Sequence, residues 1–144
     1  MLLTQRTQSL KSFTEKDYNA LSQRIIYCCM EVHKELGPGL MESVYEVCTE
    51  NVMRKEGLFV QCQVVLPVTF KGEKLEKEFV IDTIVNELII LEFKSVEVIL
   101  PVHEAQLVTY LKLADKKLGL LINFNVPLLK EGIRRKINGD LNSV

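Results

Sequence analysis

A run of six residues near the middle of the chain, Leu88–Phe93, is apolar except at Glu92. Strands with this pattern lie inside a sheet and are buried on both faces. Because both faces must then be covered, we predict helices on each side of the sheet. We expect this strand to be central.

The rest of the chain supplies the helices and the other strands. Two stretches with apolar spacings of three and four predict amphipathic helices, and the first follows a capping box at Thr14 and Asp17. Residues 60–70 alternate, which predicts a strand, and Pro67 favours an edge position for it. The predicted order is a helix ending at Gly37, a helix from about Leu40 to Gly57, strands 60–70, 75–85 and 88–93, a helix from Pro101 to about Ala114, a strand 118–124 and a short basic helix after Pro127.

Length and composition fit one small domain. The chain has 144 residues, of which 47% are hydrophobic and 26% charged, enough to bury a core without a staple. Residues 1–13 show no period and are predicted to form a flexible tail, and residues 14–144 to form a single domain. The helix between the last two strands permits a parallel strand pair. The predicted fold class is α/β, with a mixed sheet of four main strands and helices on both faces.

Charge and apolar content narrow the classes of function. The net charge of −1 excludes a histone-like coat on nucleic acid, although a local basic groove stays open. No apolar run approaches the ~20 residues of a membrane span and no signal peptide is evident, so we expect a cytoplasmic protein without a membrane partner. The candidates for DNA backbone contacts, which equally suit a solvated face, are Arg134, Arg135 and Lys136 on the last helix and Lys112, Lys116 and Lys117. The cysteines expected to be reduced thiols are Cys28, Cys29, Cys48 and Cys62.

The central strand ends in Glu92-Phe93-Lys94, which places two charges at the end of the most hydrophobic strand. Alternation puts Glu92 and Lys94 on one face, about 6.6 Å apart along the strand. A buried unpaired charge is unfavourable. The two residues therefore either form a solvated surface pair or serve chemistry.

Asp82 interrupts the apolar second strand, where aspartate is disfavoured. It either caps a bulge, accepts from a neighbouring hydroxyl, or binds a metal ion. As hairpin neighbours, Asp82 and Glu92 lie close, and two such carboxylates repel unless a cation or proton holds them. Oxygen ligands select Mg²⁺ or Mn²⁺, and a nearby lysine suits metal-assisted phosphodiester hydrolysis.

The hairpin register decides whether these carboxylates meet. Asp82 and Glu92 share a face only if paired residue numbers add to an even sum. A two-residue turn at Asn86-Glu87 gives an odd sum and sets Asp82 opposite Leu91. The site therefore requires a three- or five-residue loop, or a bulge.

These residues carry a resemblance. Asp82 with Glu92-Phe93-Lys94 resembles the D…E-x-K core of the PD-(D/E)XK nuclease superfamily, with Ile81 in place of the usual proline. Residues 39–45 match G-x-x-E-x-x-Y, and the segments PVHEAQ and LGLLINFNVP are also similar. Over roughly residues 17–137 the chain closely resembles the small bacterial and archaeal family that is named for this motif and classed with those nucleases.

The resemblance implies a core of helix, three strands, helix and strand, and it implies roles. Asp82, Glu92, the Phe93 carbonyl and Glu42 would bind Mg²⁺ or Mn²⁺, and Lys94 would position or activate the attacking water. The implied catalytic residues are Asp82, Glu92, Lys94 and Glu42, and the implied substrate contacts are Gln106, Tyr110, Tyr45 and His103. Gln106 and Tyr110 resemble the Q-x-x-x-Y motif of RecB-like nucleases.

Several of these residues also have a purely structural interpretation. Glu42 suits the first turn of a helix, Tyr45 suits the core with its hydroxyl satisfied, and His103 suits the surface near a helix start. Family members often carry an arginine two residues before the aspartate, where Val80 stands here, which weakens the expectation of activity.

Two functions follow. The first is a Mg²⁺- or Mn²⁺-dependent nuclease that hydrolyses DNA and binds it weakly and in a salt-sensitive manner. The second is a non-catalytic module that keeps the nuclease fold and binds a protein or nucleic-acid partner. The sequence leaves the oligomeric state open, a dimer included.

Overall fold

The computed structural model describes residues 12–142 as three helices and one five-stranded sheet. A mixed sheet with helices on both faces agrees with the predicted α/β class. The elements are α1 (Glu15–Leu36), α2 (Glu42–Lys55), β1 (Val60–Phe70), β2 (Glu73–Val85), β3 (Ile89–Lys94), α3 (Pro101–Ala114), β4 (Leu118–Asn123), a 3₁₀ turn (Leu129–Gly132) and β5 (Ile133–Ile137).

The strand order in the sheet is β1-β2-β3-β4-β5. The β3–β4 pair is parallel and the other three pairs are antiparallel. The central position of β3 and the edge position of β1 are therefore confirmed. The prediction of four main strands was one short.

The prediction of a short basic helix after Pro127 is wrong, because Ile133–Ile137 forms strand β5 along β4. Five residues with three adjacent basic side chains carry too little periodicity to separate a strand from a helix. The free edge of β4 decides the matter, since its buried backbone groups need partners that β5 supplies.

Helices α1 and α2 cover one face of the sheet and α3 covers the other. In β3, Leu91 and Phe93 pack in the cluster with α1 and α2, whereas Ile90 packs in the cluster with Leu107 and Leu111 of α3. The central strand is thus buried on both sides, as its apolar run predicted.

The first helix begins at the predicted capping box. The capping box is confirmed, since Thr14 N donates to Asp17 Oδ2 (2.8 Å) and Asp17 N donates to Thr14 Oγ1 (3.4 Å). Just before it, the Phe13 ring packs against the Tyr18 ring, with centroids 6.5 Å apart. The rest of the predicted tail falls largely on residues 1–11, which lie outside the described residues.

Two further expectations concern the chain as a whole. Within residues 12–142 no helix combines the length and apolarity needed to cross a bilayer. The four cysteines are free thiols, with Cys28 and Cys29 buried and Cys48 and Cys62 partly exposed.

Candidate active site

The β2–β3 hairpin has the register that the carboxylate pair requires. Val85 pairs with Ile89, and Thr83 pairs with Leu91, so the loop between the strands has three residues, Asn86 to Leu88. The paired numbers add to an even sum. Asp82 and Glu92 therefore lie directly beyond the last pair, Thr83 and Leu91, and face each other.

At this point the carboxylates take over from the backbone ladder. Phe93 N donates to Asp82 Oδ2 at 3.0 Å, and Asp82 N donates to Glu92 Oε1 at 3.4 Å. Each side chain thus binds a backbone N–H of the opposite strand. The two strands separate here, and the acids lie where they part.

Burial makes both acids hard to ionise, and the charge of Asp82 adds to this effect at Glu92. Desolvation and, as the second cause, the charge of the neighbouring Asp82 raise the pKa of Glu92 to about 8. Burial also raises the pKa of Asp82, although the Phe93 N–H bond opposes the shift. A proton or a cation is needed to hold this pair together at neutral pH.

Lys94 lies two residues beyond Glu92 on the same strand and is half-buried. Its charge favours the ionised forms of Glu92, Asp82 and Glu42, and so opposes the rise in their pKa. Within the described residues its Nζ forms no ion pair at 4.0 Å or less. Lys94 therefore acts on all three acids electrostatically without closing a salt bridge on any of them.

Two contacts fix the loop that follows Lys94. Ser95 Oγ donates to the carbonyl of Leu40 at 2.6 Å, which holds this loop against the loop before Glu42. The buried Asn123 side chain binds both the N–H (3.0 Å) and the carbonyl (2.9 Å) of Val96, which anchors the loop to the end of β4. Sequence reasoning missed Ser95 and Asn123, because only the assembled fold brings their partners within reach.

Helix α2 presents three acids to the site rather than one. Glu42, Glu46 and Glu50 are four residues apart, so they form a stripe along one face of the helix. Burial and then Asp82 raise the pKa of Glu46 to about 7. Burial raises the pKa of Glu42, and Asp82 adds to it. The sequence analysis named Glu42 alone, although the regular spacing was a signal for the other two.

The two additional acids form hydrogen bonds with residues of β1 and β2 that neighbour Asp82. Glu46 Oε1 accepts a hydrogen bond from Gln63 Nε2 (2.7 Å), and Glu50 Oε2 accepts one from Thr83 Oγ1 (2.6 Å). Glu50 is buried, whereas Gln63 is exposed. The acid stripe therefore has a structural task beside any electrostatic one.

The β1–β2 pair is distorted at Asp82. Gln63 stands opposite Asp82, between the pairs Cys62–Thr83 and Val64–Ile81, and has a left-handed backbone with φ of 50°. Regular alternation would place Ile81 on the face of Thr83, but Ile81 packs instead in the α3-side cluster. The kink turns the outer part of the hairpin, residues 64–81, toward α3.

This turned hairpin and α3 enclose a groove that gathers three of the predicted substrate contacts. His103, Gln106 and Tyr110 line it, together with Phe79 of β2 and Val102. Tyr110 is largely buried, and the charges of Glu92 and Asp82 add to the burial that raises its pKa. The groove thus borders the carboxylate pair.

Tyr45 has the structural role that was the alternative to substrate binding. Its ring is fully buried and stacks on Phe124, with centroids 4.5 Å apart and planes 10° apart. Its hydroxyl donates to the carbonyl of Gly37 and accepts from Leu40 N at 3.1 Å. Tyr45 therefore shapes the loop before Glu42 and is too deep to touch a substrate directly.

The basic residues of β5 are engaged within the fold. Arg134 donates to the Glu131 carbonyl (2.8 Å), Arg135 donates to Asn19 Oδ1 (2.7 Å), and Lys136 Nζ pairs with Glu104 Oε1 (2.7 Å). These residues lie on an edge strand and not on a helix, which corrects their predicted placement. Each side chain is thus partly occupied before any phosphate contact.

The oxygen ligands available suit a hard cation, although they do not form a ready-made cage. Among residues 12–142 no three His, Cys, Asp or Glu side chains converge as a metal-binding group. The Phe93 N–H faces Asp82, and the N–H and carbonyl of one strand residue point to the same side, so the Phe93 carbonyl faces the carboxylates too. Two carboxylates with one carbonyl fit Mg²⁺, which keeps several waters and commonly uses one or two carboxylates.

Comparison with known proteins identifies the family. Residues 19–136 match the family described as the PD-(D/E)XK nuclease superfamily. Neither the curated proteins nor the solved structures gave a match. Since the matched segment covers most of the chain and contains the acid pair, Lys94 and all five strands but the last residue of β5, the protein belongs to the PD-(D/E)XK nuclease superfamily.

Proposed function

We propose that this protein is a Mg²⁺- or Mn²⁺-dependent nuclease that hydrolyses phosphodiester bonds of DNA. The observation that carries the proposal is the pairing of Asp82 with Glu92 where β2 and β3 separate. Both carboxyl groups are held by backbone N–H groups, and burial raises the pKa of each. Because such a pair lowers stability, a fold with no use for it would be more stable with a neutral side chain in place of one acid.

Asp82, Glu92 and the Phe93 carbonyl would hold the metal ion, with Glu42 and bound waters completing its surroundings. When bound, the ion would stabilise charge on a phosphate oxygen and lower the pKa of a water molecule. Its positive charge would also lower the pKa of both carboxyl groups and remove the repulsion between them.

We assign Lys94 to the water and the substrate rather than to the metal. Its Nζ is free of ion pairs with the acids, so its N–H groups are available to orient the attacking water and to stabilise negative charge on the phosphate. Glu42 faces the same lysine from α2 and keeps its charge within the site. Gln106, Tyr110 and His103 would hold the substrate strand in the adjoining groove.

The alternative function is a non-catalytic module on the same fold. The engagement of Arg134, Arg135 and Lys136 within the protein favours it, because these three cations are then less available to phosphates. The intact set of Asp82, Glu92 and Lys94 favours the nuclease.

The deciding experiment measures cleavage and metal binding on the same variants. With Mn²⁺ and a panel of single-stranded, duplex and branched DNA, we expect the wild type to nick at least one substrate. Lys94→Ala should lose cleavage yet bind Mn²⁺ normally by calorimetry, because lysine is not a ligand. Glu92→Ala should lose both.

A matched control is Lys34→Ala, which removes an exposed lysine near the end of α1 and should change neither quantity. Unchanged nicking in Lys94→Ala would exclude the assigned chemistry. Absence of Mn²⁺ binding in the wild type would exclude the metal site and leave the non-catalytic module.

A further inference from the structure

We propose that the groove between α3 and the turned β1–β2 hairpin binds one unpaired nucleobase next to the cleaved phosphate, so that the enzyme acts on single-stranded or frayed DNA. This proposal rests on the proposed nuclease function and names its substrate class. The feature that carries it is an aromatic groove with hydrogen-bonding groups, one of whose lining residues, Tyr110, packs beside the strand residues next to the carboxylate pair.

The groove has the lining that base recognition uses. Its volume of about 530 Å³ lies within the range of small-ligand sites, about 300–1,000 Å³. The half-buried Phe79 ring packs on the buried Tyr110 ring, with centroids 5.6 Å and planes 58° apart, and offers its exposed side to the groove. Unpaired bases stack on such rings and offer their edges to polar side chains.

Two side chains on α3 supply those polar contacts. Gln106 is exposed and has no hydrogen-bond partner among the described residues, so its amide can pair with a base edge. His103 Nδ1 accepts from Leu100 N at 3.0 Å, which places the proton of a neutral ring on Nε2. The groove therefore offers an amide and an N–H donor beside an aromatic face.

The groove also lies at the right place for the strand that is cut. Tyr110 lines it and packs in one hydrophobic cluster with Ile81, next to Asp82, and Ile90, two residues before Glu92. The charges of Glu92 and Asp82 also act on the Tyr110 hydroxyl. We therefore expect a strand with its phosphate at the acids to reach the groove with an adjacent nucleotide.

Charge favours this substrate over intact duplex. Duplex binding relies on many phosphate contacts, and the three basic residues of β5 are already bound within the fold. Stacking on an aromatic side chain contributes about 1–3 kcal/mol per base and needs no cation. Within a duplex, neighbouring base pairs cover the base faces, so the groove would have nothing to bind.

The first experiment compares cleavage of matched single-stranded and duplex oligonucleotides with Mn²⁺. We expect the wild type to prefer the single strand. Phe79→Leu, which keeps an apolar side chain but removes the ring, should slow single-strand cleavage by about 5-fold or more, and Phe79→Trp should restore it. Leu75→Ala, another partly exposed apolar residue of β2, is the matched control and should have no effect.

The second experiment finds the base itself. One abasic position is moved stepwise along the single strand around the mapped cleavage site. We expect one position to slow the wild type as much as Phe79→Leu does, and we expect no additional loss when the two changes are combined. Equal effects of Phe79→Leu on single-stranded and duplex DNA, or strictly multiplicative losses, would overturn the base site while the nuclease assignment stands.

A binding measurement separates the base site from catalysis. A single strand that contains 2-aminopurine is titrated with protein in EDTA, where stacking on Phe79 should quench its fluorescence. If no DNA is cleaved under any condition, the nuclease function fails, and quenching by the wild type but not by Phe79→Leu would still support the groove. No quenching by the wild type would overturn the groove.

Discussion

The buried Glu92 carboxyl group should make stability fall as pH rises. Its pKa is about 8 in the folded protein, above its ordinary value of 4.5, so the folded state binds more protons than the unfolded state between those values. Stability from this group is therefore complete below about pH 4.5 and is lost as pH approaches about 8. Asp82 contributes with the same sign.

Glu92→Gln should remove most of this pH dependence in EDTA and should melt higher than the wild type at about pH 8. The amide mimics the protonated acid, and about 1 kcal/mol of relieved repulsion corresponds to about 4 °C in a domain of this size. Calorimetric melting at several pH values measures the effect, and the exposed Glu97→Gln is the control. Mn²⁺ should then reverse the ranking, because it stabilises only the wild type. If the melting temperature of Glu92→Gln falls with pH as steeply as that of the wild type, the burial argument is contradicted.

The buried hydrogen bonds of the Tyr45 hydroxyl should contribute to the free energy of unfolding. Tyr45→Phe keeps the stack on Phe124 but leaves the Gly37 carbonyl and the Leu40 N–H without their partner. We expect a loss of about 1–3 kcal/mol in urea unfolding. Tyr27→Phe, at a residue 65% exposed, is the control and should have little effect. If Tyr45→Phe leaves the free energy of unfolding unchanged, water already satisfies both backbone groups.

Single residues of the site differed in how far the sequence could predict them. Asp82, Glu92 and Lys94 were visible because a charge in an apolar strand needs a reason. Gln63 was invisible, because its role depends on a backbone kink and on a helix acid that is distant in the chain. Local patterns reveal residues that violate their own surroundings, and they do not reveal partners that the fold brings together.

At the scale of elements, the three-residue loop of the β2–β3 hairpin sets the geometry of the site. Asn86 and Glu87 both have left-handed backbones, with φ of 52° and 59°. Such a conformation is unfavourable by about 1–2 kcal/mol for residues other than glycine. Asn86 is compensated, since its Oδ1 accepts from Phe59 N at 2.8 Å, whereas Glu87 is exposed.

Glu87→Gly should therefore stabilise the protein, by up to about 1 kcal/mol after the greater freedom of glycine in the unfolded chain is subtracted. Asn86→Gly should not, because it removes the bond to Phe59. Chemical denaturation of the two variants checks the contrast, and cleavage should be unchanged in Glu87→Gly because the register is kept. Equal stabilisation by both substitutions would show that the Asn86 side chain contributes nothing.

Element prediction succeeded where the apolar period was long and failed where it was short. The eleven residues of β1 and the twenty-two of α1 carry several periods each. Strand β5 has five residues, and its assignment depends on the free edge of β4. The even register of the hairpin could be stated as a requirement from the sequence, but only the folded loop could show that it is met.

For the whole molecule, the distribution of charge predicts how DNA binding depends on salt. The net charge is −1, and the basic side chains of β5 already have partners in the fold. With about one to three phosphate contacts, the logarithm of the affinity for a single strand should fall with the logarithm of the salt concentration with a slope of about −0.7 to −2. Fluorescence anisotropy in EDTA between low and physiological salt measures that slope.

Neutralising the cations of β5 tests the same argument from the side of the protein. Arg134→Gln combined with Arg135→Gln should leave the slope and the single-strand affinity nearly unchanged, because neither residue lines the groove and each guanidinium donates to a partner within the fold. The double variant should instead unfold at lower urea, since it loses the bonds to the Glu131 carbonyl and to Asn19. A slope near −5 in the wild type that becomes shallower in the double variant would contradict this. It would mean that these arginines leave their partners to bind phosphates, and that backbone charge rather than base stacking supplies the affinity.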